Sequence, residues 1–199
     1  MPPASKVRLV GSDSRWRRFV RLLCRVGWRW SVRGFAVFGA LVALFWATLD
    51  LSVVVSPSMA PTLQGTAVGN GDRVLTEKVT YRFRMPRRWE VIAYTTDTGE
   101  KRMKRIVGLP GESVQMPANG VLLIDGRRQE IPGHLNNPYL RFGNLMDGNP
   151  VPCGDGFYVL GDDVKDSDDS RFNPPTPARQ VVGRVWLIVA PWRRVGFVR

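Results

Sequence analysis

The sequence predicts a mainly β protein with a small inserted lobe, preceded by one N-terminal transmembrane helix. Three observations carry this. Residues 34–49 read GFAVFGALVALFWATL, sixteen positions without a charge. Beyond residue 63 no stretch keeps a helical period, whereas short alternating or continuous apolar runs recur. Glycine and proline turns separate those runs. A chain of 199 residues, 44% apolar, buries one core with room for a smaller appended lobe.

The formal net charge of +12 points to an anionic partner. Residues 1–33 hold nine Lys/Arg against one acid, so this arm alone carries +8 of it. A tail that basic beside an apolar span fits anionic membrane lipids, and a nucleic-acid groove is not expected. After a proline- and serine-containing start that looks disordered, Arg17, Arg21, Arg25, Arg29 and Arg33 recur every fourth residue. That spacing keeps them on one side of a helix. Trp28 and Trp30 between them suit head-group depth.

The uncharged run spans only about 24 Å as helix, short of the roughly 30 Å hydrocarbon core. Continuing it through Asp50 to Val55 gives about 33 Å and places the acid at the far interface. The anchor is therefore expected over 34–55, after a cytoplasmic arm over 1–33. A cleaved signal peptide is disfavoured, because the basic region is long and no small-x-small site follows. Arginines before the span put the N-terminus in the cytoplasm and the domain over 56–199 outside.

In that domain, residues 72–79 alternate as a half-buried strand, 91–94 form a second strand and 102–107 a third. Residues 121–124 precede Asp125-Gly126, a hairpin signal. Residues 132–152 read as loops, 157–160 as a strand and 181–190 as a long late strand. The insertion is expected at about 111–154.

Cys24 and Cys153 would lie on opposite sides of the membrane and cannot pair. No CxxC or His/Cys cluster is present, so neither a metal nor another cofactor is expected. The one histidine, His134, sits in a loop context, which disfavours a serine–histidine mechanism.

The chemistry gathers at Ser56-Pro57-Ser58-Met59-Ala60-Pro61-Thr62-Leu63. Its prolines make a stiff extended turn that fixes Ser58. A serine needs a base, and the candidate is Lys104, in a strand with Met103, Ile106 and Val107. At its ordinary pKa only about 4 in 10,000 lysines are neutral at pH 7, so desolvation has to bring it down. Arg102 and Arg105 beside it read as solvated.

Four blocks in order make the chain resemble the type I signal peptidases, membrane-anchored Ser/Lys serine proteases. They are the Ser56–Leu63 block, Gly71-Asp72-Arg73-Val74, residues 104–112 (KRIVGLPGE), and Gly161-Asp162 through Ser167-Asp168-Asp169-Ser170-Arg171. The resemblance implies the signal-peptidase β fold and Ser58 as nucleophile with Lys104 as general base. It implies an oxyanion hole from the Ser58 N–H and the Ser56 hydroxyl, and Ser167 orienting the lysine. Asp169 and Arg171 would be a structural pair holding the last block against the lysine strand, and Met59 would help line the substrate pocket. Substrates would be exported preproteins cut after small residues at the third and first positions before the bond. The location would be a bacterial plasma membrane.

Three places depart from the family pattern. Residues 163–166 are altered within GDNRDNSxDSR, Phe172-Asn173-Pro174-Pro175 replaces an aromatic and glycine, and Trp89-Glu90 stands where Gly-Asp is common. These bear on substrate range more than on catalysis. The alternatives are a peptidase for one dedicated substrate such as a transfer pilin, and a catalytically inert membrane-anchored relative. A self-cleaving Ser/Lys repressor would need a helix-turn-helix where the apolar run stands.

Overall fold

The computed structural model describes residues 14–66, 69–133 and 142–198. The expected disordered start and His134 lie outside them. The chain divides between Trp46 and Ala47 into two units. The first is built on helix α1 (Ser14–Thr48). Within it Gly27–Thr48, 22 residues of mean hydropathy 1.6, is long and apolar enough to cross a membrane. At 1.5 Å per residue that stretch measures about 33 Å.

The expected helical extension to Val55 does not form. α1 stops at Thr48, and strand β1 (Leu49–Val53) begins at the next residue. It pairs antiparallel with β2 (Arg73–Glu77) over five positions, Leu49 opposite Glu77 and Val53 opposite Arg73. Pairing rather than propensity decides this boundary, since the strand satisfies its backbone from β2. Asp50 accordingly lies in the β unit, where its carboxylate accepts from Lys101 at 2.7 Å and from Ser52 at 2.8 Å. The missing length is recovered upstream, where the span starts at Gly27 and takes in Arg29 and Arg33. Their long stems can carry the charge outward.

The second unit is the expected β domain. Its strands continue as β3 (Val91–Thr95), β4 (Lys101–Gly108), β5 (Ser113–Gln115), β6 (Leu123–Ile124), β7 (Arg127–Arg128) and β8 (Val151–Pro152). They end with β9 (Gly156–Leu160), β10 (Thr176–Pro177), β11 (Val181–Ala190) and β12 (Gly196–Phe197). The large sheet runs β1-β2-β11-β3-β4-β9-β10, with β12 on β11. Register shifts on β11 at its pairings with β2 and β3 curl it. The small sheet, β7-β6-β5-β8, is built from residues 113–152. Asp125 and Gly126, both at positive φ, make the two-residue turn joining β6 to β7. Beyond α1 the described helical turns are single 3-10 turns.

Three buried clusters fill the unit. Val54, Met59, Leu63, Val74, Val91, Ala93, Val185 and Ile188 pack where the serine turn meets the large sheet. Ile92, Tyr94, Ile106, Phe157 and Val159 pack around β3, β4 and β9. The small lobe packs on Val107, Tyr158 and Leu160. Strand β4 reaches all three, because Met103 packs on the first, Ile106 belongs to the second and Val107 to the third.

Candidate active site

The serine turn is tighter than an extended segment. Pro57–Met59 is one 3-10 turn, with Ser56 capping it at φ −127° and its Oγ accepting from the Ser58 N–H at 3.2 Å. The Ala60 N–H closes the turn on Pro57 O at 2.7 Å, and Leu63 N–H bonds Met59 O at 2.8 Å. The Ser58 carbonyl accepts from Asp163 N–H at 3.1 Å, so the 161–171 segment fixes the turn from outside. The Gly71-Asp72 block supports it from below. A Cβ on Gly71 would stand 1.9 Å from Val54 O. The Asp72 carboxylate accepts from Gln64 N–H and from Arg194 Nε, each at 2.8 Å.

Lys104 comes from β4, in register with Ile92 of β3. Its Nζ lies 2.6 Å from Ser58 Oγ, the two joined by one buried hydrogen bond. Lys104 is only 4% exposed. Burial pushes its pKa down to about 8, against the pull of Asp169, with Arg102 lowering it further and Asp168 and Asp162 raising it. At pH 7 about one molecule in ten then carries a neutral amine, against about 4 in 10,000 at the ordinary value. The sequence-based expectation that desolvation would be the lever matches this cause.

The other expected site residues gather around this contact, with two differences from expectation. Ser167 is buried and close, since a Cβ on Gly161 would meet its Oγ at 2.2 Å and Ser58 O at 2.4 Å. Its Oγ nevertheless makes no hydrogen bond, to Lys104 or to any other described residue. Asp169 and Arg171 form a buried bidentate pair, with Nε to Oδ1 at 2.8 Å and Nη2 to Oδ2 at 2.9 Å. That pair ties its own segment together, because Asp169 also accepts from Gly161 N–H and Arg171 donates to Ser167 O. An ion-pair tie from the segment to β4 is also present.

It is made by arginines read from the sequence as solvated. Arg105 is 1% exposed. It donates to both Asp162 oxygens at 2.8 and 2.7 Å, to Trp89 O at 2.7 Å and to Thr62 Oγ1 at 3.2 Å. One guanidinium thus joins β4, the 161–171 segment, the serine turn and the turn before β3. That last turn holds Trp89 at φ 69°, the region glycine favours, which gives the family's glycine at this place a physical reason. Arg102 reaches Asp168 at 2.7 Å. Ser170, read as a loop residue, accepts from Val159 N–H at 3.0 Å.

A cleft of about 250 Å³ opens over the serine. Val53, Val54, Val55 and Met59 line one side, and β4 from Lys101 to Lys104 lines another. Strand β3 pairs with β4 over Lys101–Arg105, whereas β9 takes up only Arg105–Gly108. The edge of β4 from Lys101 to Lys104 therefore has no strand partner among the described residues. Met59, 1% exposed, belongs to the core as well as to the cleft floor. Burial pushes the Cys153 thiol up to about 11, which removes it as a rival nucleophile. No group of His, Cys, Asp and Glu among the described residues could hold a metal ion.

The family of signal peptidases, peptidase S26, matches residues 27–192. Signal peptidase I of Leptolyngbya laminosa is 34% identical over 152 residues, covering 72% of this chain and 70% of that protein. Signal peptidase I of Mycobacterium tuberculosis (strain ATCC 25618 / H37Rv) is 28% identical, covering 86% of this chain and 76% of that protein. Among solved structures, a signal peptidase I from Enterococcus faecalis V583 is 28% identical, with a TM-score of 0.41. It covers 51% of this chain and 97% of its own. The matched stretch runs from the apolar helix through the serine turn, β4 and the 161–171 segment, and the chain belongs to the signal peptidase family of S26 peptidases.

Proposed function

We propose that this chain carries out its family's reaction, removing signal peptides from exported preproteins, with Ser58 as nucleophile and Lys104 as general base. The observation that carries the reading is the buried 2.6 Å contact between Lys104 Nζ and Ser58 Oγ. A neutral amine there takes the hydroxyl proton as Oγ attacks the carbonyl carbon of the scissile bond. The ammonium so formed returns that proton to the leaving amine. Water, deprotonated by the same amine, then releases the acyl group from Ser58.

Negative charge on the carbonyl oxygen is met by the Ser58 N–H and the Ser56 hydroxyl. In the free enzyme these groups are bonded to each other at 3.2 Å, so Ser56 has to turn toward the substrate. The unpartnered Ser167 hydroxyl supplies an acceptor for the lysine ammonium while it is charged. Asp169 and Arg171 are structural.

The substrate enters extended and adds a strand to the open edge of β4, which gives affinity through the backbone. Val53, Val55 and Met59 then favour small side chains beside the bond. The basic arm over 1–33 lies on anionic lipid, the anchor crosses the plasma membrane with its N-terminus cytoplasmic, and the domain from Ser56 onward acts outside. The insertion over about 111–154 forms a separate lobe of that domain.

The test is incubation of the detergent-solubilised full chain with an alanine-type preprotein, followed by sequencing of the new N-terminus. Cleavage after the signal peptide is expected, and its complete loss in Ser58→Ala and in Lys104→Ala. Full activity in either variant would sink the dyad. A wild-type chain that leaves this preprotein whole but cuts a transfer pilin would favour the dedicated reading.

A further inference from the structure

Three aspartates of the 161–171 segment act on the Lys104 amine, and each has its own arginine. Asp162 is matched by Arg105 and Asp169 by Arg171, in pairs at most 1% exposed. Asp168 is matched by Arg102, and this pair stands at the cleft with side chains 58% and 28% exposed. Both partners are fixed from behind. Arg102 donates through Nε and Nη2 to Glu100 Oε2 at 3.0 and 2.8 Å, and the second Asp168 oxygen accepts from Asn173.

Arg102 and Lys104 are two residues apart on one strand, so they share a face, with their Cα atoms about 7 Å apart along it. Across from them on β3 stand Tyr94 and Ile92. Neither carries charge, since burial raises the Tyr94 phenol further from ionisation. The serine turn offers the Ser56 and Ser58 hydroxyls, and the segment adds the Ser167 hydroxyl. The remaining charges lining the cleft are Glu100, Lys101 and Asp166, and Lys101 is neutralised by Asp50. Of the pairs around the base, Arg102–Asp168 is the one that solvent and substrate reach.

We propose that Arg102 and Asp168 form a positioning pair that sets the charge state of Lys104, a role resting on the reading of Lys104 as the base. Intact, the pair adds almost no net field. With one member removed, the balance of charge near the amine changes by one. A unit change of charge at the rim of a partly wet cleft moves a neighbouring titration by about one pH unit. The two halves therefore act with opposite sign. Loss of Arg102 leaves Glu100 and Asp168 to favour the ammonium, and loss of Asp168 takes away one of those anions while Arg102 stays paired with Glu100, which disfavours it.

The experiment measures kcat/KM against pH from about 6 to 10 for the full-length protein in detergent, with a preprotein substrate. That profile reports the free enzyme. The wild-type acidic limb is expected near pH 8. Arg102→Gln should move it up by about one pH unit, slowing cleavage about tenfold at pH 7 and leaving the alkaline plateau intact. Asp168→Asn should move it down by about one unit, speeding cleavage about fivefold at pH 7. The double variant and Arg102→Lys should both return the midpoint to near the wild-type value. Single variants that move the limb in one direction, or lower the plateau without moving it, would overturn the proposal and leave the pair a mechanical clamp. Undiminished cleavage by Lys104→Ala would instead remove the base assignment itself, which separates the two failures.

Discussion

Removing water from Lys104, and not pairing it with a carboxylate, is what brings its amine within reach of neutrality. The same enclosure makes each donor near Ser58 valuable, because charge developing there meets few competing dipoles. Ser56 is the donor most open to test, since the residue is exposed and the fold asks of its hydroxyl one long cap bond. Ser56→Ala should slow cleavage by roughly 10²–10³ in kcat, with the thermal midpoint little changed. An unchanged rate would take Ser56 out of the oxyanion site. The pairing of Ser58 with Lys104 was legible in the sequence because both lie in distinctive blocks, in fixed order. The bond between Ser56 and the Ser58 amide was not, since proline-rich turns differ in ways that only backbone angles record.

At the scale of elements, β4 organises the site. Four of its residues, Lys101, Arg102, Lys104 and Arg105, bind Asp50, Asp168, Ser58 and Asp162 in turn. Arg105 misled the sequence reading because a cationic residue between apolar ones is ordinarily solvated, and its partner lies 57 positions downstream. Nothing local announces such a pair. A buried pair is costly to break from one side, as the surviving charge has no water to turn to. Asp162→Asn should therefore destabilise the domain by roughly 3–5 kcal/mol, readable as a lowered denaturation midpoint in detergent. Stability equal to the wild type would mean that Arg105 finds another counter-ion. Apolar runs between turns placed strands at 91–94, 157–160 and 181–190, within one residue of the observed limits. The end of α1 was not, since residues 49–55 continue the apolar run and only pairing with β2 makes part of it a strand.

At the scale of the whole molecule, charge and hydropathy divide the chain. The first 33 residues carry +8 and everything after them +4, with an apolar stretch of 22 residues overlapping the boundary. Lysine and arginine bias of this size sets orientation. Protease added to the outside of intact spheroplasts should digest the β domain while sparing a tag at the N-terminus. The reverse pattern would invert the proposed topology.

Strand β4 presents Lys104 toward Ser58 and its neighbour Arg105 toward Asp162, on opposite faces of one ribbon. A misalignment of β4 by a single residue would take Lys104 away from Ser58 and, in one direction, bring the Arg105 guanidinium up against the hydroxyl. Because side chains alternate, no intermediate arrangement exists, and a guanidinium never gives up its proton at any physiological pH. The Arg105–Asp162 pair thus acts as a proofreader of alignment: a chain that folds out of step is not a slow protease but none at all.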